Sequence, residues 1–349
     1  MTTDERKERK ERNSALDITR IIAVLAVIMI HVSSKFVVSY DISSVEFLCG
    51  NIFDSISRIG VPLFVMISGS LMLDEERNVN IKQNIKSIVC LLLFWSIVYC
   101  FFYNIALSIV NGGKIDFYRI VDSFINGCDH MWYLYMIIVL YLATPFLRMF
   151  VKKENKRLVL SFIAISTVTQ FSLPIIKGIT LMWQNAEIAL KFVEQLNLGF
   201  FSGFVTYYLI GWYIIHIGIK KKWIFYCLGI FSLLVTILYV QSTKDYSNGY
   251  SNMNVFVLMY AVSVFILINC QQKMTVSDKT KSVLAVLSNL TFGVYIVHPL
   301  IQTIAGWVIK YVHNPFAYII CSYSVVVAVS FAVCFIVSKI PIIKKSIRM

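Results

Sequence analysis

The chain alternates between long apolar stretches and short polar segments over nearly its whole length. A helix needs roughly 20 predominantly apolar residues to cross the hydrocarbon core of a bilayer. The stretches that approach this length, each with boundaries within a few residues, are 18–38, 52–73, 85–110, 132–150, 158–176, 200–219, 223–240, 255–272, 290–311 and 316–339. The pattern therefore predicts an all-α, polytopic integral membrane protein with about ten transmembrane helices.

The predicted domain organisation is simple. Residues 1–16 form a charged tail with no apolar face, and residues 341–349 form a second, basic tail. Residues 17–340 between them read as one transmembrane domain, because the linkers are short and no internal repeat is evident.

Composition supports the membrane class. Hydrophobic residues make up 58% of the 349 positions and charged residues only 15%, whereas soluble domains average roughly 45–50% and 25%. Such a chain cannot cover its own exterior with polar groups, which excludes a soluble enzyme, a secreted domain and a disordered chain. The net charge of +13 does not indicate nucleic-acid binding, since no basic and aromatic stripe lies outside the apolar segments.

The positive charge instead predicts the orientation. With the N-terminus inside, the cytoplasmic segments hold 23 Lys and Arg residues and the outer segments hold seven. Basic residues accumulate in cytoplasmic loops, so both termini are predicted to be cytoplasmic.

Ionisable groups inside the first predicted span are candidates for function, because such groups are costly in a bilayer. Arg20 and His31 are eleven residues apart, which in a helix is about 20° past three full turns and a rise of about 16 Å. Both side chains therefore point the same way, and Asp17 lies one turn before Arg20 and could hold its guanidinium. The alternatives are an interfacial Arg20 that reaches lipid phosphate and a neutral His31 that is only hydrogen-bonded within the bundle.

The second predicted span contains Arg58, Pro62 and Gly69. A proline inside a span frees a backbone carbonyl and permits a kink, which is tolerated where the backbone faces protein or a water-filled cavity. Gly69 permits close helix packing. Arg58 needs a partner, and a structural pair with Asp54, one turn earlier, is the alternative to a functional role.

Two later segments add histidines. His130 precedes Trp132 and Tyr133 at the outer start of the fourth span, where the aromatic residues also suit an ordinary interfacial belt. His298 lies deep in the ninth span, directly before Pro299. Its alternative is a structural hydrogen bond.

The remaining histidines and the cysteines are not assigned a catalytic role. His216 and His313 lie near the interface, and no metal site is predicted because the histidines are scattered and the cysteines are not clustered. Cys49 and Cys128 fall in predicted outer loops, where a disulfide between them is one possibility.

Together these segments resemble the acyltransferase family 3 of bacterial inner-membrane O-acyltransferases, from about residue 14 to residue 340. The resemblance rests on four elements in order along the chain. They are Arg20 to His31 (Arg-x10-His), Arg58 to Phe64 with Ile67, Ser68 and Gly69, His130 to Leu134 (His-x-Trp-Tyr-Leu), and Phe292 to Pro299 (Phe-Gly-x-Tyr-x-x-His-Pro).

The resemblance implies ten helices, acetyl-CoA or another cytoplasmic acyl-CoA as donor, and a hydroxyl of a cell-surface glycan or its lipid-linked precursor as acceptor. On this hypothesis Arg20, held by Asp17, binds the donor. His31 acts as general base or transient acyl carrier, and Arg58 stabilises the oxyanion or positions the acceptor. The supporting residues are His130, Trp132, Tyr133 and His298, with His130 and Tyr133 at the outer entrance.

An alternative function comes from a related membrane module. The vancomycin-resistance serine racemases carry a similar membrane part, associated with serine uptake, that shares the first-span signature. That signature therefore cannot separate acyl transfer from uptake of serine or another amino acid.

Overall fold

The structure, a computed structural model, describes residues 13–106, 118, 120, 124, 129–171, 203–270, 277–309 and 312–340. These residues contain helices and no strand. The helices are α1 (Ser14–Ser39), α2 (Val45–Ser57), α3 (Gly60–Met72), α4 (Ile81–Cys100), α5 (Trp132–Phe150), α6 (Lys156–Ser166), α7 (Val205–His216), α8 (Lys222–Thr243), α9 (Tyr246–Gly249), α10 (Val255–Asn269), α11 (Asp278–Ile309) and α12 (Pro315–Val337). Phe101–Ala106 and Thr167–Phe171 are π-helical, and Asp129–Met131 is a 3₁₀ turn.

The all-helical membrane class is confirmed. Within the described part of the chain, seven helical segments are long and apolar enough to cross a membrane, and α10 is a shorter apolar helix. The seven are Ser14–Ser39, Val45–Met72, Ile81–Asn104, Trp132–Phe150, Lys222–Thr243, Asp278–Ile309 and Pro315–Val337. The count of ten spans and the orientation of the termini stay predictions.

Some sequence predictions fall outside the described residues. These include most of the charged N-terminal tail, the basic tail 341–349, and the stretch 172–202 between the fifth and sixth predicted spans. Cys128 also lies outside the described residues, so its pairing with Cys49 stays a prediction.

Short polar side chains begin several of the helices. The side chains of Asn13, Ser44, Asn80 and Asn314 each accept a backbone N–H from the first turn of the helix that follows. Such caps satisfy donors that would otherwise have no partner. The polar breaks in the hydrophobic pattern thus fix where the helices start.

Helix α1 is the centre of the bundle and packs against α2, α3 and α11. Glycines allow the α2–α3 segment to approach it. A Cβ on Gly50 would lie 2.6 Å from the Phe36 Cβ, and one on Gly60 would lie 2.9 Å from a Val27 methyl. Because the two segments run antiparallel, Asp54 of α2 lies at about the depth of His31.

The sequence predicts that Pro62 permits a kink in the second span, and the structure shows a complete break between two helices there. Helix α2 ends at Ser57 and α3 starts at Gly60, so Arg58 lies at the break. Pro62 has no N–H to donate to the Arg58 carbonyl, which explains why the helix cannot continue through this turn.

The prediction of close packing at Gly69 is also confirmed. A Cβ on Gly69 would lie 1.9 Å from the Tyr208 carbonyl oxygen, and a Cβ on Gly211 would lie 2.0 Å from the Met66 carbonyl oxygen. Helices α3 and α7 therefore touch backbone to backbone at two reciprocal points.

We expect Gly69→Ala and Gly211→Ala to destabilise the protein by about 1–3 kcal/mol each, because the added methyl group meets backbone that cannot move aside. Thermal unfolding in detergent measures the effect. Gly306→Ala in α11 is the matched control, since a Cβ there has nothing within 4 Å. Equal melting temperatures for Gly69→Ala and Gly306→Ala would contradict the backbone contact.

Candidate active site

Three histidines from distant parts of the chain meet inside the bundle. The imidazole of His31 lies with its ring centre 5.0 Å from that of His298 and 6.4 Å from that of His130. The rings of His130 and His298 are 5.7 Å apart. His130 and His298 are buried, whereas His31 is partly exposed. We call these three residues the histidine cluster.

The orientation of His298 follows from the proline beside it. Pro299 has no N–H, so it leaves the Tyr295 carbonyl without its usual helical donor. The Nδ1 atom of His298 lies 2.6 Å from that carbonyl oxygen. Since a carbonyl can only accept, Nδ1 carries the hydrogen, and the neutral ring has its lone pair on Nε2. This Nε2 is buried and has no hydrogen-bond partner in the structure.

His130 is held in a similar way by the same helix. Its ring makes a hydrogen bond with the Ile296 backbone carbonyl, and because its Nε2 has no partner, Nδ1 makes that bond. The Tyr99 hydroxyl also donates to the Ile296 carbonyl, and the Tyr295 hydroxyl donates to the His130 carbonyl. His130 therefore also has its lone pair on Nε2.

These hydrogen bonds decide what the histidine cluster can bind. Two buried nitrogen acceptors, the Nε2 atoms of His130 and His298, have no hydrogen-bond partner in the structure, and both rings lie beside His31. A buried acceptor without a partner costs about 1–3 kcal/mol. The cluster is therefore suited to receive a group that brings a proton, such as a hydroxyl.

The backbone of His31 is fixed to α11. The Gln302 amide donates a hydrogen bond of 2.7 Å to the His31 carbonyl oxygen. At the next residue of α11, the Thr303 hydroxyl lies 3.1 Å from the Tyr103 hydroxyl. Helix α11 therefore orients all three members of the cluster.

Arg20 lies nearer the start of α1 and is paired as the sequence predicted. Its Nη1 atom is 3.2 Å from Oδ1 of Asp17, which is 2% exposed while Arg20 is 29% exposed. The positive charge of Arg20 also acts on the phenol groups of Tyr133 and Tyr141, both of which are hydrogen-bonded to Ser68. Arg20 is thus anchored by Asp17 and lies within electrostatic range of two buried phenols.

A row of aromatic rings connects the Arg20 end to the histidine cluster. Tyr133 lies 5.5 Å from Tyr295, and Phe64 contacts both rings. Tyr295 in turn lies 5.9 Å from His130. Because Tyr133 lies within electrostatic range of Arg20 and Tyr295 lies beside two histidines of the cluster, this row of rings runs between the two ends of the site that α1 carries.

Arg58 occupies a different set of contacts. Its guanidinium is 2.5 Å from the Asp54 carboxylate, which is fully buried, and it stacks at 4.2 Å over the Tyr250 ring. The Tyr250 hydroxyl donates to the Asn51 side chain at 2.7 Å. The predicted pair with Asp54 is confirmed. Among the described residues, the aromatic ring on which the Arg58 guanidinium stacks is that of Tyr250 and not one of the three histidines. The catalytic role of Arg58 stays a prediction.

The turn that leads to Tyr250 is ordered by Asp245. Partial burial alone would raise the pKa of Asp245, but hydrogen bonds from Asn248, Ser247 and Tyr239 outweigh it and lower the pKa to about 2. The ionised carboxylate also caps α9. Tyr250 is therefore presented to Arg58 by a short, charged turn.

Two supporting residues lie differently from the sequence prediction. His130, predicted at an outer entrance, is 4% exposed and belongs to the histidine cluster. The reason is the 3₁₀ turn Asp129–Met131, which precedes α5 and places the ring beneath Tyr99. Trp132 is 40% exposed and contacts Phe204 instead of the cluster.

Sequence reasoning missed several residues of the site. Tyr99 contacts His130, Gln302 holds His31, and Ser68 bonds the two phenols. A signal existed for Tyr99, because Trp95, Tyr99 and Tyr103 recur every four residues on one face of a helix. Nothing in the local sequence marks Gln302.

Metal ions were not predicted for this site. The described side chains contain no group of three or more His, Cys, Asp or Glu residues that could hold a metal ion.

The fold is that of a multi-pass helical membrane protein, and its candidate site is a group of three histidines inside the bundle. A family model described as an acyltransferase domain matches residues 13–336, nearly the whole chain. The chain therefore belongs to the acyltransferase 3 family and is a membrane acyltransferase, as the sequence motifs predicted. Comparison with curated proteins and with solved structures gave no match.

Proposed function

We propose that this protein moves an acyl group, acetyl in the first instance, from cytoplasmic acyl-CoA to a hydroxyl of a cell-surface glycan or its lipid-linked precursor. The protein would act in the inner membrane of a bacterium. The observation that carries the proposal is the histidine cluster, in which the buried Nε2 atom of His130 has no hydrogen-bond partner in the structure and can accept from a hydroxyl beside His31.

Donor binding is assigned to the Arg20 end of α1. A guanidinium forms charge-assisted hydrogen bonds with phosphate oxygens and keeps its charge when partly buried. The net charge of +13 favours an anionic donor. With its phosphates at Arg20, the pantetheine arm would follow Tyr133 and Tyr295 toward the cluster.

The transfer step is assigned to His31. The acceptor oxygen attacks the thioester carbonyl carbon while His31 takes the hydroxyl proton, and the C–S bond breaks. The CoA thiolate leaves and receives the proton from the imidazolium, which restores neutral His31. In the alternative, His31 first carries the acyl group itself. Arg58 would stabilise the oxyanion or position the acceptor.

A donor-side prediction tests this assignment. We expect Arg20→Ala to raise the KM for acetyl-CoA at least about tenfold, because a charge-assisted phosphate contact is worth about 1.5–3 kcal/mol. Arg20→Lys keeps the charge and should lose less. The measurement is release of the CoA thiol, together with transfer of labelled acetyl, in membranes that contain the protein.

A second donor makes the result specific. Acetyl-pantetheine lacks the nucleotide and the pyrophosphate, so its KM should be the same for Arg20→Ala and the unaltered protein. Lys339→Ala is the control for a basic residue elsewhere, as Lys339 lies over the Phe335 ring. An equal rise in KM for both donors would overturn the phosphate role of Arg20. Accumulation of labelled serine in proteoliposomes without any CoA release would favour the uptake function.

A further inference from the structure

The buried Nε2 atom of His298, which has no hydrogen-bond partner in the structure, belongs to a ring that lies beside the ring of His31. Two imidazoles joined by a single N–H···N hydrogen bond of about 2.9 Å have ring centres about 5 Å apart. The rings of His31 and His298 are 5.0 Å apart, whereas those of His31 and His130 are 6.4 Å apart. The spacing therefore suits a direct bond between His31 and His298 and is too long for one between His31 and His130.

We propose that His298 is a positioning residue that accepts the N–H of His31 and that Pro299 fixes it in this role. The order is the Tyr295 carbonyl, the Nδ1–H of His298, the Nε2 of His298, and the N–H of His31. The second nitrogen of His31 then keeps its lone pair, as a general base requires. For its catalytic meaning this inference rests on the proposed function.

Three observations support the proposal independently of catalysis. His298 is fully buried, its Nδ1 is 2.6 Å from the Tyr295 carbonyl oxygen, and its Nε2 has no hydrogen-bond partner in the structure. The carbonyl is free to accept because Pro299 lacks an N–H. The bond itself is not made in the structure, and catalytic hydrogen bonds often tighten only when substrate is bound.

The decisive measurement is the tautomer of His298. Nitrogen NMR of histidine-labelled protein in lipid distinguishes a ring protonated on Nδ1 from one protonated on Nε2, and His298→Gln identifies the signal. We expect the unaltered protein to carry hydrogen on Nδ1 and a hydrogen-bonded, unprotonated Nε2. Hydrogen on Nε2 of His298 would overturn the proposal, whether or not the protein transfers acyl groups.

Pro299→Ala tests whether the proline fixes the tautomer of His298. The new N–H competes with His298 for the Tyr295 carbonyl, so we expect a mixture of the two tautomers and a kcat lowered at least about threefold. Pro145→Ala, at another proline inside a helix, should leave the His298 signal unchanged. A single Nδ1–H tautomer in Pro299→Ala would remove Pro299 from the proposal.

Activity separates positioning from general support of the fold. His298→Leu lacks the acceptor, and we expect kcat to fall at least about tenfold with little change in the KM for the donor. His298→Gln offers an amide oxygen in the same region and should recover part of the rate. Equal rates for the Gln and Leu variants, at equal amounts of folded protein, would contradict an acceptor role.

Discussion

Replacing His31 by alanine or glutamine is expected to lower kcat for acyl transfer by about 100- to 10,000-fold, the usual contribution of a general base. The ring is partly exposed and its backbone is held by Gln302 and α11, so the fold should survive the change. Labelled acetyl transfer and CoA release, normalised to the amount of folded protein, measure the effect.

The control for His31 is another histidine outside the cluster. His313 is exposed and lies just before α12, so His313→Ala should retain the full rate. Rapid quenching during turnover also separates the two roles of His31. Labelled acetyl bound to the unaltered protein but not to His31→Gln would identify an acyl carrier, and its absence favours a base. Transfer by His31→Ala at the unaltered rate would remove His31 from the mechanism.

The helical class and the polar pairs could be predicted because they depend on local sequence. Each of the ten apolar segments holds a helix in its described part. Asp17 with Arg20 and Asp54 with Arg58 are three and four residues apart, and side chains at these spacings are neighbours on any helix. Such pairs need no knowledge of the tertiary structure.

The shared face of Arg20 and His31 was predicted from helical geometry alone. The structure places the charge of Arg20 near Tyr133 and the ring of His31 near His130. The side chains of Arg20 and His31 therefore both lie near residues at the start of α5 or just before it. The eleven-residue spacing of Arg20 and His31 predicts a shared face only if one unbroken helix holds both, and α1 is continuous from Ser14 to Ser39.

The histidine cluster itself could not be predicted in this way. His130 reaches it only because Tyr295 and Tyr99 hold the turn before α5 against α11, and these contacts join residues far apart in the chain. For His298 the sequence does contain a local signal, which is the proline that follows it. A proline directly after a histidine frees the carbonyl three residues before that histidine, which the same ring can reach.

The Arg58 pair gives the second large expected effect. Arg58→Met leaves the fully buried Asp54 carboxylate without its cation, which costs about 3–5 kcal/mol of stability. Thermal unfolding in detergent measures the loss. The exposed pair of Lys153 and Glu76, 3.5 Å apart, is the control, because Lys153→Met should change stability by no more than about 1 kcal/mol.

The double variant Asp54→Leu/Arg58→Met separates structure from catalysis. Removing both charges should restore most of the stability, since a buried ion pair is often replaceable by apolar residues of similar size.

Asp54 lies at about the depth of His31, as the Gly50 and Gly60 contacts with α1 indicate. A guanidinium at that depth can stabilise negative charge in the transfer step. We therefore expect the stable double variant to transfer acetyl about 100-fold more slowly. If its rate returned together with its stability, Arg58 would be a structural residue and the oxyanion would need another partner.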